Sequence, residues 1–335
     1  MSLREILLQF LFNSGFLRSF QKRFPNYMTV LNYHRIGNYK SRSFDTFKPN
    51  ISASPESFHK QIELMAKWFN VVTPTDVVSL VKERKKLPPY AALITFDDGY
   101  FDNYQFAIPV LNSFRFPALI FLTTGHISTG KPFYWDVVAY CFYHTNYDYI
   151  KLPLLGEYRW DTQNQLDRII HQIAEKMKNL PGGEISKIVD SLPNELGIDM
   201  ITSTFRGLMM DWNQVRELST QGIEFGGHTI THPILSRVDP GQVKYEIEGS
   251  KAHIEKEIGK TITAFAYPNG MRDDFDNATK EFVRKAGYQI AFSLIFGSIS
   301  YKAVQKDPFE IKRIFISRKD SLPRFAVKIS GIKLF

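Results

Sequence analysis

Cysteine is almost absent from this sequence, since Cys141 is the only one among 335 residues. One cysteine cannot form an intrachain disulfide, and it cannot supply the thiolate cage of a structural zinc site. We expect Cys141, which stands between Tyr140 and Phe142, to be a small buried apolar residue. Disulfide-stabilised scaffolds and cysteine-ligated zinc modules are therefore excluded.

Long apolar runs are missing near the start of the chain. The apolar stretch 6–12 is too short for a spanning helix, and no clear small-residue cleavage site follows it, so the sequence predicts a cytoplasmic protein. Residues 16–24 alternate phenylalanine and leucine with arginine and lysine, which suits an amphipathic helix on a membrane surface. A helix packed onto the domain is the alternative. We assign 1–25 as an N-terminal amphipathic helix, with peripheral membrane contact as a hypothesis.

Acidic residues are in the minority. Lys and Arg number 42 against 34 Asp and Glu, for a net charge of +8, which attracts nucleic acid, anionic lipid or acidic polymers alike. The densest basic run, 82–86, is interrupted by Glu83 and is typical of a solvated helix end, so no nucleic-acid partner is expected. An apolar fraction of 44% with 14% aromatic residues is enough to fill a sizeable core.

Apolar runs alternate with helical periodicities along most of the chain. The run 91–96 is typical of a buried parallel strand, and further strands are predicted at 27–33, 71–72, 118–122, 223–225, 263–266, 289–292 and 313–316. This alternation predicts an α/β fold, a single distorted (β/α) barrel of about seven to eight strands over 26–320. Residues 131–210 break the rhythm, and we interpret them as a mainly helical insertion over one end of the barrel. Residues 321–335 form a C-terminal tail.

Three short motifs stand where predicted strands end. They are Thr-Phe-Asp-Asp-Gly-Tyr at 95–100, His-Thr-Ile-Thr-His-Pro at 228–233 and Phe-Ala-Tyr-Pro-Asn-Gly at 265–270. In parallel α/β barrels the loops after the strands share one face. We therefore expect all three motifs to meet at the same mouth of the barrel.

The first two motifs together indicate a metal site. Adjacent carboxylates such as Asp97 and Asp98 repel each other unless a cation or a proton separates their charges, although Asp-Gly alone is common in turns. His228 and His232 precede Pro233, which disfavours a helix there and favours a loop that curls round an ion. An isolated His-x-x-x-His is often incidental. Two histidines with one carboxylate at strand ends, however, are typical of a hydrolytic metal centre.

These motifs resemble those of the polysaccharide deacetylase family, the NodB-homology domain of carbohydrate esterase family four. The resemblance extends from Leu-Asn-Tyr-His at 31–34 to about Phe315, and the insertion is its least informative part. It implies a distorted (β/α) barrel that removes N-acetyl or O-acetyl groups from carbohydrates. The motif set is specific for the family and does not name the substrate.

The resemblance also assigns roles to residues. Asp98, His228 and His232 correspond to the metal ligands, and Asp97 to the general base that deprotonates the attacking water. The backbone N–H of Tyr100 corresponds to a donor that holds the tetrahedral oxyanion. Zinc is the default ion, and cobalt, nickel, iron or manganese would also suit such ligands.

The sequence departs from the family pattern in two places. Many members carry a C-terminal Leu-x-His whose histidine acts as general acid, but no histidine follows His253 here. We expect His34, at the end of the first strand, to replace it, with a packing or hydrogen-bonding role as the alternative. Ala266 stands where members with Arg-x-Pro-Tyr have the arginine that orients the catalytic aspartate. We expect Arg313 to supply that charge, with Arg272 as a second candidate and a rim salt bridge as the structural alternative.

Substrate contacts are the least determined part of the prediction. Tyr267, Pro268 and Asn269 are expected to form a groove wall, although Tyr267 equally suits the core. Trp135 is expected to stack on a sugar ring, with core packing as the alternative. His126 suits either the pocket or a surface loop.

The predicted function is metal-dependent removal of an N-acetyl group from an amino sugar of a polysaccharide, lipid-linked or nucleotide-linked glycan. A deformylase or an O-acetyl esterase on the same scaffold is one alternative. A carbohydrate-binding protein with an inactive site is another, favoured only by the missing C-terminal histidine.

Overall fold

The computed structural model describes residues 3–41, 44–201 and 203–332. The strands in these ranges are β1 Tyr27–Tyr33, β2 Arg35–Ile36, β3 Ile51–Ala53, β4 Asn70–Val71, β5 Ala91–Phe96, β6 Ala118–Leu122, β7 Tyr149–Leu152, β8 Gly156–Arg159, β9 Ile223–Gly227, β10 Ala264–Ala266, β11 Ile290–Phe296, β12 Ile299–Ser300 and β13 Ile311–Phe315. The helices are α1 Leu3–Asn13, α2 Phe16–Gln21, α3 Pro55–Trp68, α4 Pro74–Lys82, α5 Ile108–Phe114, α6 Thr124–Thr129, α7 Tyr134–His144, α8 Gln163–Met177, α9 Gly182–Glu195, α10 Trp212–Ser219, α11 Pro240–Ile258, α12 Asn277–Lys285, α13 Tyr301–Lys306 and α14 Leu322–Ser330.

Seven parallel strands form a closed barrel, in the order β1-β13-β11-β10-β9-β6-β5. The barrel closes because β1 pairs with β13 on one side, where Leu31 is opposite Ile314, and with β5 on the other, where Leu31 is opposite Ile94. Short strands distort the ends, since β12 runs antiparallel to β1 and β4 pairs with the start of β5. The predicted distorted (β/α) barrel is confirmed.

Alternation of side chains along each strand divides the core in two. Val30, Leu93, Phe121 and Phe292 point into the barrel and belong to one buried cluster. Their neighbours in the strands, such as Leu31, face outward into a larger cluster beneath the helices. Strands that are buried on both faces explain the continuous apolar runs in the sequence.

The inserted segment packs as a layer of its own. The insertion is mainly helical, as the sequence predicted, and α7 contacts both α8 and α9. The antiparallel hairpin of β7 and β8 was not predicted. Helix α8 begins with a capping box in which Thr162 and Gln165 bond each other's backbone N–H groups. The insertion supplies side chains to the mouth of the barrel.

The first two helices and the last one, α14, pack together on the outside of the barrel. The predicted N-terminal helix is divided into α1 and α2 at Gly15, whose φ of +74° suits glycine. The segment predicted as a C-terminal tail contains α14, which packs against α1, α2 and α3. Within the described ranges, no helix is both long enough and apolar enough to span a membrane.

Candidate metal centre and hydrolytic site

The side chains of Asp98, His228 and His232 converge at the mouth of the barrel. Oδ1 of Asp98 lies 3.6 Å from Nε2 of His228 and 3.6 Å from Nε2 of His232. One potential ligand atom from each residue lies within 4.8 Å of the others. Ligand atoms bound at about 2.0–2.1 Å to a tetrahedral ion are about 3.3 Å apart, so the cluster is close to the size that a zinc-sized ion requires.

A strained turn presents Asp98. Asp98 has a φ of +78° and Gly99 a φ of +84°, directly after β5. A Cβ at Gly99 would lie 2.8 Å from Ile127 and 2.9 Å from Leu122, so only glycine fits. Non-glycine residues at positive φ cost of the order of 1 kcal/mol or more, and they occur where the surrounding structure holds them for a purpose.

The loop after β9 carries the two histidines. Thr229 and His232 both have positive φ, at +68° and +63°, which turns the chain back on itself. The buried carboxylate of Glu246, on α11, accepts hydrogen bonds from the N–H of Ile230 at 2.6 Å and from the N–H and hydroxyl of Thr231 at 2.9 and 2.6 Å. These bonds hold the loop curled, so both imidazoles face Asp98.

The orientation of His228 is fixed by its second nitrogen. Nδ1 lies 2.7 Å from the carbonyl oxygen of Ala266, which only accepts, so Nδ1 carries the proton. Nε2 is then a free lone pair that faces Asp98. Metal-binding histidines typically have such a bond on the other nitrogen.

The surroundings of Asp98 favour a cation beside its carboxylate. Both oxygens of Asp98 are buried without a hydrogen-bond partner in the described structure. Burial and then the charge of Asp97 raise the pKa of Asp98 well above its ordinary value. Burial lowers the pKa of His228 and His232, which leaves both imidazoles neutral and able to act as ligands. Two neutral imidazoles and an unpartnered carboxylate fit a divalent metal ion.

The neighbouring carboxylate, Asp97, has the opposite surroundings. Arg313 donates to it through Nη1 at 2.7 Å and Nη2 at 2.9 Å, and Asn32 donates to Oδ2 at 2.8 Å. Burial alone raises the pKa of Asp97, but the charge of Arg313 outweighs it, so that the pKa lies below its ordinary value. Asp97 is therefore an ionised carboxylate in a fixed orientation.

Arg313 is itself held from several sides. Its side chain is fully buried, its Nε donates to the carbonyl of Ser293 at 3.0 Å, and its guanidinium lies 5.5 Å from the ring centre of Phe121. The structure thus places Arg313 against Asp97, as expected from the sequence. Arg272, the second candidate, is exposed.

His34 faces the same cavity as the two aspartates. The cavity measures about 60 Å³, and its lining includes His34, Asp97, Asp98 and Asn269. Burial lowers the pKa of His34 to about 4, and its Nδ1 has no partner among the described residues. His34 is therefore a neutral imidazole with a free nitrogen at the site.

Tyr100 is held by a buried polar network. Its hydroxyl donates to Asp136 at 2.7 Å and accepts from Nε1 of Trp135 at 2.8 Å, and Arg35 lies 4.5 Å above its ring centre. The N–H of Phe101 donates to the carbonyl of Leu208, and the N–H of Met210 donates to the carbonyl of Gly99. Tyr100 lies between these two bonds, and its own N–H takes no part in them. The insertion therefore holds this turn in two ways, through bonds from α7 to the side chain of Tyr100 and through backbone bonds at Leu208 and Met210.

The model of the polysaccharide deacetylase family matches residues 84–291. That range is more than half of the chain and contains the two aspartates and both histidines. The chain belongs to the polysaccharide deacetylase family. His34 and Arg313 lie outside the matched range, so their roles rest on the geometry of this structure.

Individual relatives are distant. The Bacillus subtilis protein YxkH, named for the same family, is 22% identical over 279 residues, which cover 82% of this chain and 70% of that protein. The poly-β-1,6-N-acetyl-D-glucosamine N-deacetylase of Staphylococcus aureus strain N315 is 28% identical over 121 residues, which cover 34% of this chain and 42% of that enzyme.

Two solved structures share the fold. The Streptococcus pyogenes deacetylase PplD has a TM-score of 0.61 at 17% identity and covers 91% of this chain and 99% of its own. IcaB from Ammonifex degensii has a TM-score of 0.56 at 20% identity and covers 91% and 97%. At these identities the likeness shows the barrel alone.

The predicted substrate contacts of this deacetylase family member need correction. Tyr267 is fully buried, stacks on Phe275 and donates its hydroxyl to the carbonyl of Phe309, so it is a core residue. Pro268 is also buried and does not line the cavity, whereas Asn269 does. Tyr267 and Pro268 directly follow β10, which ends at Ala266, and they pack into the same apolar surroundings as that strand.

Trp135 lines the cavity but is no broad stacking platform. It is 7% exposed, and the ring of Phe133 covers one face at 4.4 Å, nearly parallel. It meets His232 edge-on at 5.3 Å. Trp135 therefore forms a wall beside the metal ligands. His126 stacks on the other side of this cluster, 3.8 Å from Phe133, and does not line the cavity.

Sequence reasoning assigned no role to Asn32, Glu246 or Lys178. Asn32 could have been found as a polar side chain at an inward position of β1. Glu246 could have been found as the acidic residue on the buried face of α11, beside Val243, Ile247 and Ser250. Lys178 follows α8 and lines the cavity, and no local pattern indicated it.

Proposed function

We propose that this protein hydrolyses the N-acetyl group of an amino sugar within a glycan, with a divalent metal ion held by Asp98, His228 and His232. The observation that carries the proposal is the buried, unpartnered carboxylate of Asp98 between two neutral imidazoles. Membership of the polysaccharide deacetylase family supports the reaction class. The S. aureus relative, named for N-acetylglucosamine polymers, supports the substrate class.

A divalent ion held by Asp98, His228 and His232 would supply Lewis acidity towards the acyl carbonyl and the attacking water. Zinc is the default, since two imidazoles and one carboxylate with an open position suit it. Asp97 accepts the proton of the attacking water, because Arg313 keeps it ionised and Asn32 fixes its orientation. The N–H of Tyr100 stabilises the developing oxyanion.

The leaving nitrogen requires a proton, and His34 supplies it in this proposal. His34 is neutral in the resting site, since burial lowers its pKa to about 4. Negative charge on the tetrahedral intermediate favours the imidazolium, so His34 becomes an acid as the reaction proceeds. The proton that Asp97 accepts then reaches the leaving nitrogen through His34. Near-normal turnover of His34→Gln across the pH range would exclude this role.

The small cavity favours a short acyl group. Its walls come from both the barrel and the insertion, including Tyr134, Trp135 and Ala174. A formyl or O-acetyl group would also fit, so a deformylase and an O-acetyl esterase remain the alternatives within this chemistry. A purely carbohydrate-binding protein is disfavoured, because it has no need of an ionised Asp97 beside an unpartnered Asp98.

Elemental analysis and product release test the proposal on the same samples. Wild-type protein is compared with Asp98→Ala and His228→Ala, and acetate and formate are measured after incubation with β-1,6-linked N-acetylglucosamine oligomers. About one metal ion per chain, lost in both variants together with acetate release, is the expected result. Formate release would show that the acyl group is formyl instead of acetyl. Absence of metal after reconstitution would overturn the proposal. The cytoplasmic location stays a prediction, which cell fractionation tests.

A further inference from the structure

Helix α1 presents an apolar stripe to solvent. Leu3, Ile6, Leu7 and Phe10 share one face by their spacing and are 84%, 48%, 49% and 67% exposed. The packed side of the same helix is different, since Leu8 is buried at 1% exposure. An exposed, contiguous set of large apolar residues marks an interaction surface.

A row of aromatic rings continues from this stripe. Phe16, Phe20, Phe24 and Tyr27 follow one another with ring centres 6.4, 5.5 and 5.4 Å apart. Phe16, Phe24 and Tyr27 are 48%, 36% and 39% exposed. The guanidinium of Arg23 lies 5.6 Å from the ring centre of Phe20. Aromatic rings beside basic groups are typical of the boundary between lipid acyl chains and headgroups.

Beside the aromatic row lies a basic groove of about 850 Å³, between α14 and the outer wall of the barrel. Among the described residues that line it, five are basic and one, Asp320, is acidic. The basic residues are Arg4, Lys312, Lys319, Arg324 and Lys328. Phe24 and Tyr27 also line the groove, which therefore adjoins the aromatic row.

The groove has cationic groups without anionic partners in the described structure. Asp320 is bonded to Lys328, so it does not neutralise Lys312 or Lys319. Lys312 and Lys319 have no carboxylate within ion-pair distance, and Nε of Arg324 is buried without an acceptor. Like charges held together around an open groove are stabilised by a ligand that carries negative charge.

We propose that the apolar stripe, the aromatic row and the basic groove together form a docking surface for an anionic phospholipid bilayer. The stripe enters the boundary region of the bilayer, and the groove faces lipid phosphates. A soluble anion would leave the stripe exposed. A second copy, docked face to face, would bring the two basic grooves together, and like charges oppose this. None of the residues proposed for hydrolysis belongs to this surface.

Flotation of the full-length protein with lipid vesicles tests the proposal. Vesicles of phosphatidylcholine alone are compared with vesicles in which part of it is replaced by phosphatidylglycerol. We expect binding to the anionic vesicles only, weakening as salt is raised. The double variants Ile6→Ser with Phe10→Ser, and Lys312→Glu with Lys319→Glu, are each expected to weaken binding by about tenfold or more.

Matched variants elsewhere control for general effects of polarity and charge. Leu154→Ser with Ile201→Ser changes exposed apolar residues of the insertion, and Lys256→Glu with Lys285→Glu changes helices that cover other strands. Both controls are expected to bind as wild type does, and all variants keep wild-type thermal unfolding. Equal binding to neutral vesicles, no binding to either kind, or a dimer that the stripe variant dissociates would overturn the proposal. Acetate release is measured separately, so failure of docking is distinguishable from failure of the hydrolase.

Discussion

Two adjacent residues of the same type have opposite roles here because their neighbours differ. Asp97 is bonded to Arg313 and Asn32, which keeps its pKa low, whereas burial raises the pKa of Asp98. Enzymes give two chemically identical groups different tasks by placing them in environments that shift their pKa values in opposite directions. The pair thus separates into an ionised proton acceptor and a metal ligand.

Replacing Arg313 should change the pH dependence of the reaction. In Arg313→Met the burial of Asp97 is no longer offset, so its pKa rises and the acidic limb of kcat/KM moves to higher pH. We expect kcat to fall by about 100-fold, in line with a misplaced general base. An unpaired buried carboxylate also costs about 3–5 kcal/mol of stability. Steady-state kinetics over a pH series, with thermal unfolding, measure both effects.

The Arg313→Lys variant distinguishes charge from orientation. Lysine restores the positive charge but cannot donate two parallel hydrogen bonds to the carboxylate. The acidic limb should therefore return towards the wild-type pH, while kcat recovers only in part because Asp97 is less well oriented. Thr29→Val changes an outward-facing position of the barrel and serves as the control. An unchanged acidic limb in a folded Arg313→Met variant would contradict the assignment of Asp97 as the base.

At the scale of elements, helix α11 holds the histidine loop through one carboxylate. Glu246 accepts four hydrogen bonds, three from the loop and one from Gln242 within the helix. In Glu246→Gln the amide nitrogen cannot accept, so part of this anchor is lost. Groups that orient metal ligands typically contribute 10–100-fold in affinity. We therefore expect metal affinity to fall by about that factor.

Competition with a chelator measures this change directly. Glu248→Gln, on the exposed side of the same helix, is the matched control and should keep wild-type affinity. A loss of thermal stability without any change in metal affinity would show that Glu246 supports the fold and not the ligand geometry.

Elements with a strong local signal were predicted closely. Strands β1, β5 and β6 have the predicted bounds, since buried parallel strands are continuous apolar runs. The hairpin of β7 and β8 was missed because each strand has only four residues, so the alternation of exposed and buried side chains in β7 is too short to stand out. The break at Gly15 was missed because the apolar pattern continues across it, and only the left-handed backbone there divides α1 from α2.

At the scale of the whole molecule, the barrel and the mouth where the motifs meet followed from the sequence. Strand ends of a parallel barrel share one face, so motif positions alone predicted that Asp98, His228 and His232 converge. Tyr267 and Pro268 were misplaced because distance from a strand end does not determine which side chain turns inward. Lys178 was unpredictable, since it reaches the cavity through the packing of the insertion, a long-range contact without a local pattern.

The stability of the whole fold should depend on the metal ion and on the charge of Asp98. Since burial raises the pKa of Asp98 in the folded state, its ionised form opposes folding once the pH exceeds the unfolded pKa, and this penalty is fully present above the folded pKa. Metal-free Asp98→Asn should therefore unfold at a higher temperature than metal-free wild type at neutral pH. The gain should vanish in acid, where Asp98 is protonated in both states.

Zinc should reverse this order. Binding to the folded state alone stabilises wild type by about 2.7 kcal/mol at a free ion concentration 100 times Kd. A change of 1 kcal/mol shifts Tm by roughly 1–2 °C in a chain of this size. Asp98→Asn lacks the anionic ligand and should gain little. Scanning calorimetry of both proteins, with chelator and with zinc, makes the comparison. A metal-free Asp98→Asn less stable than metal-free wild type at neutral pH would mean that the carboxylate has a cationic or hydrogen-bonding partner within the protein and does not need a metal ion to balance its charge.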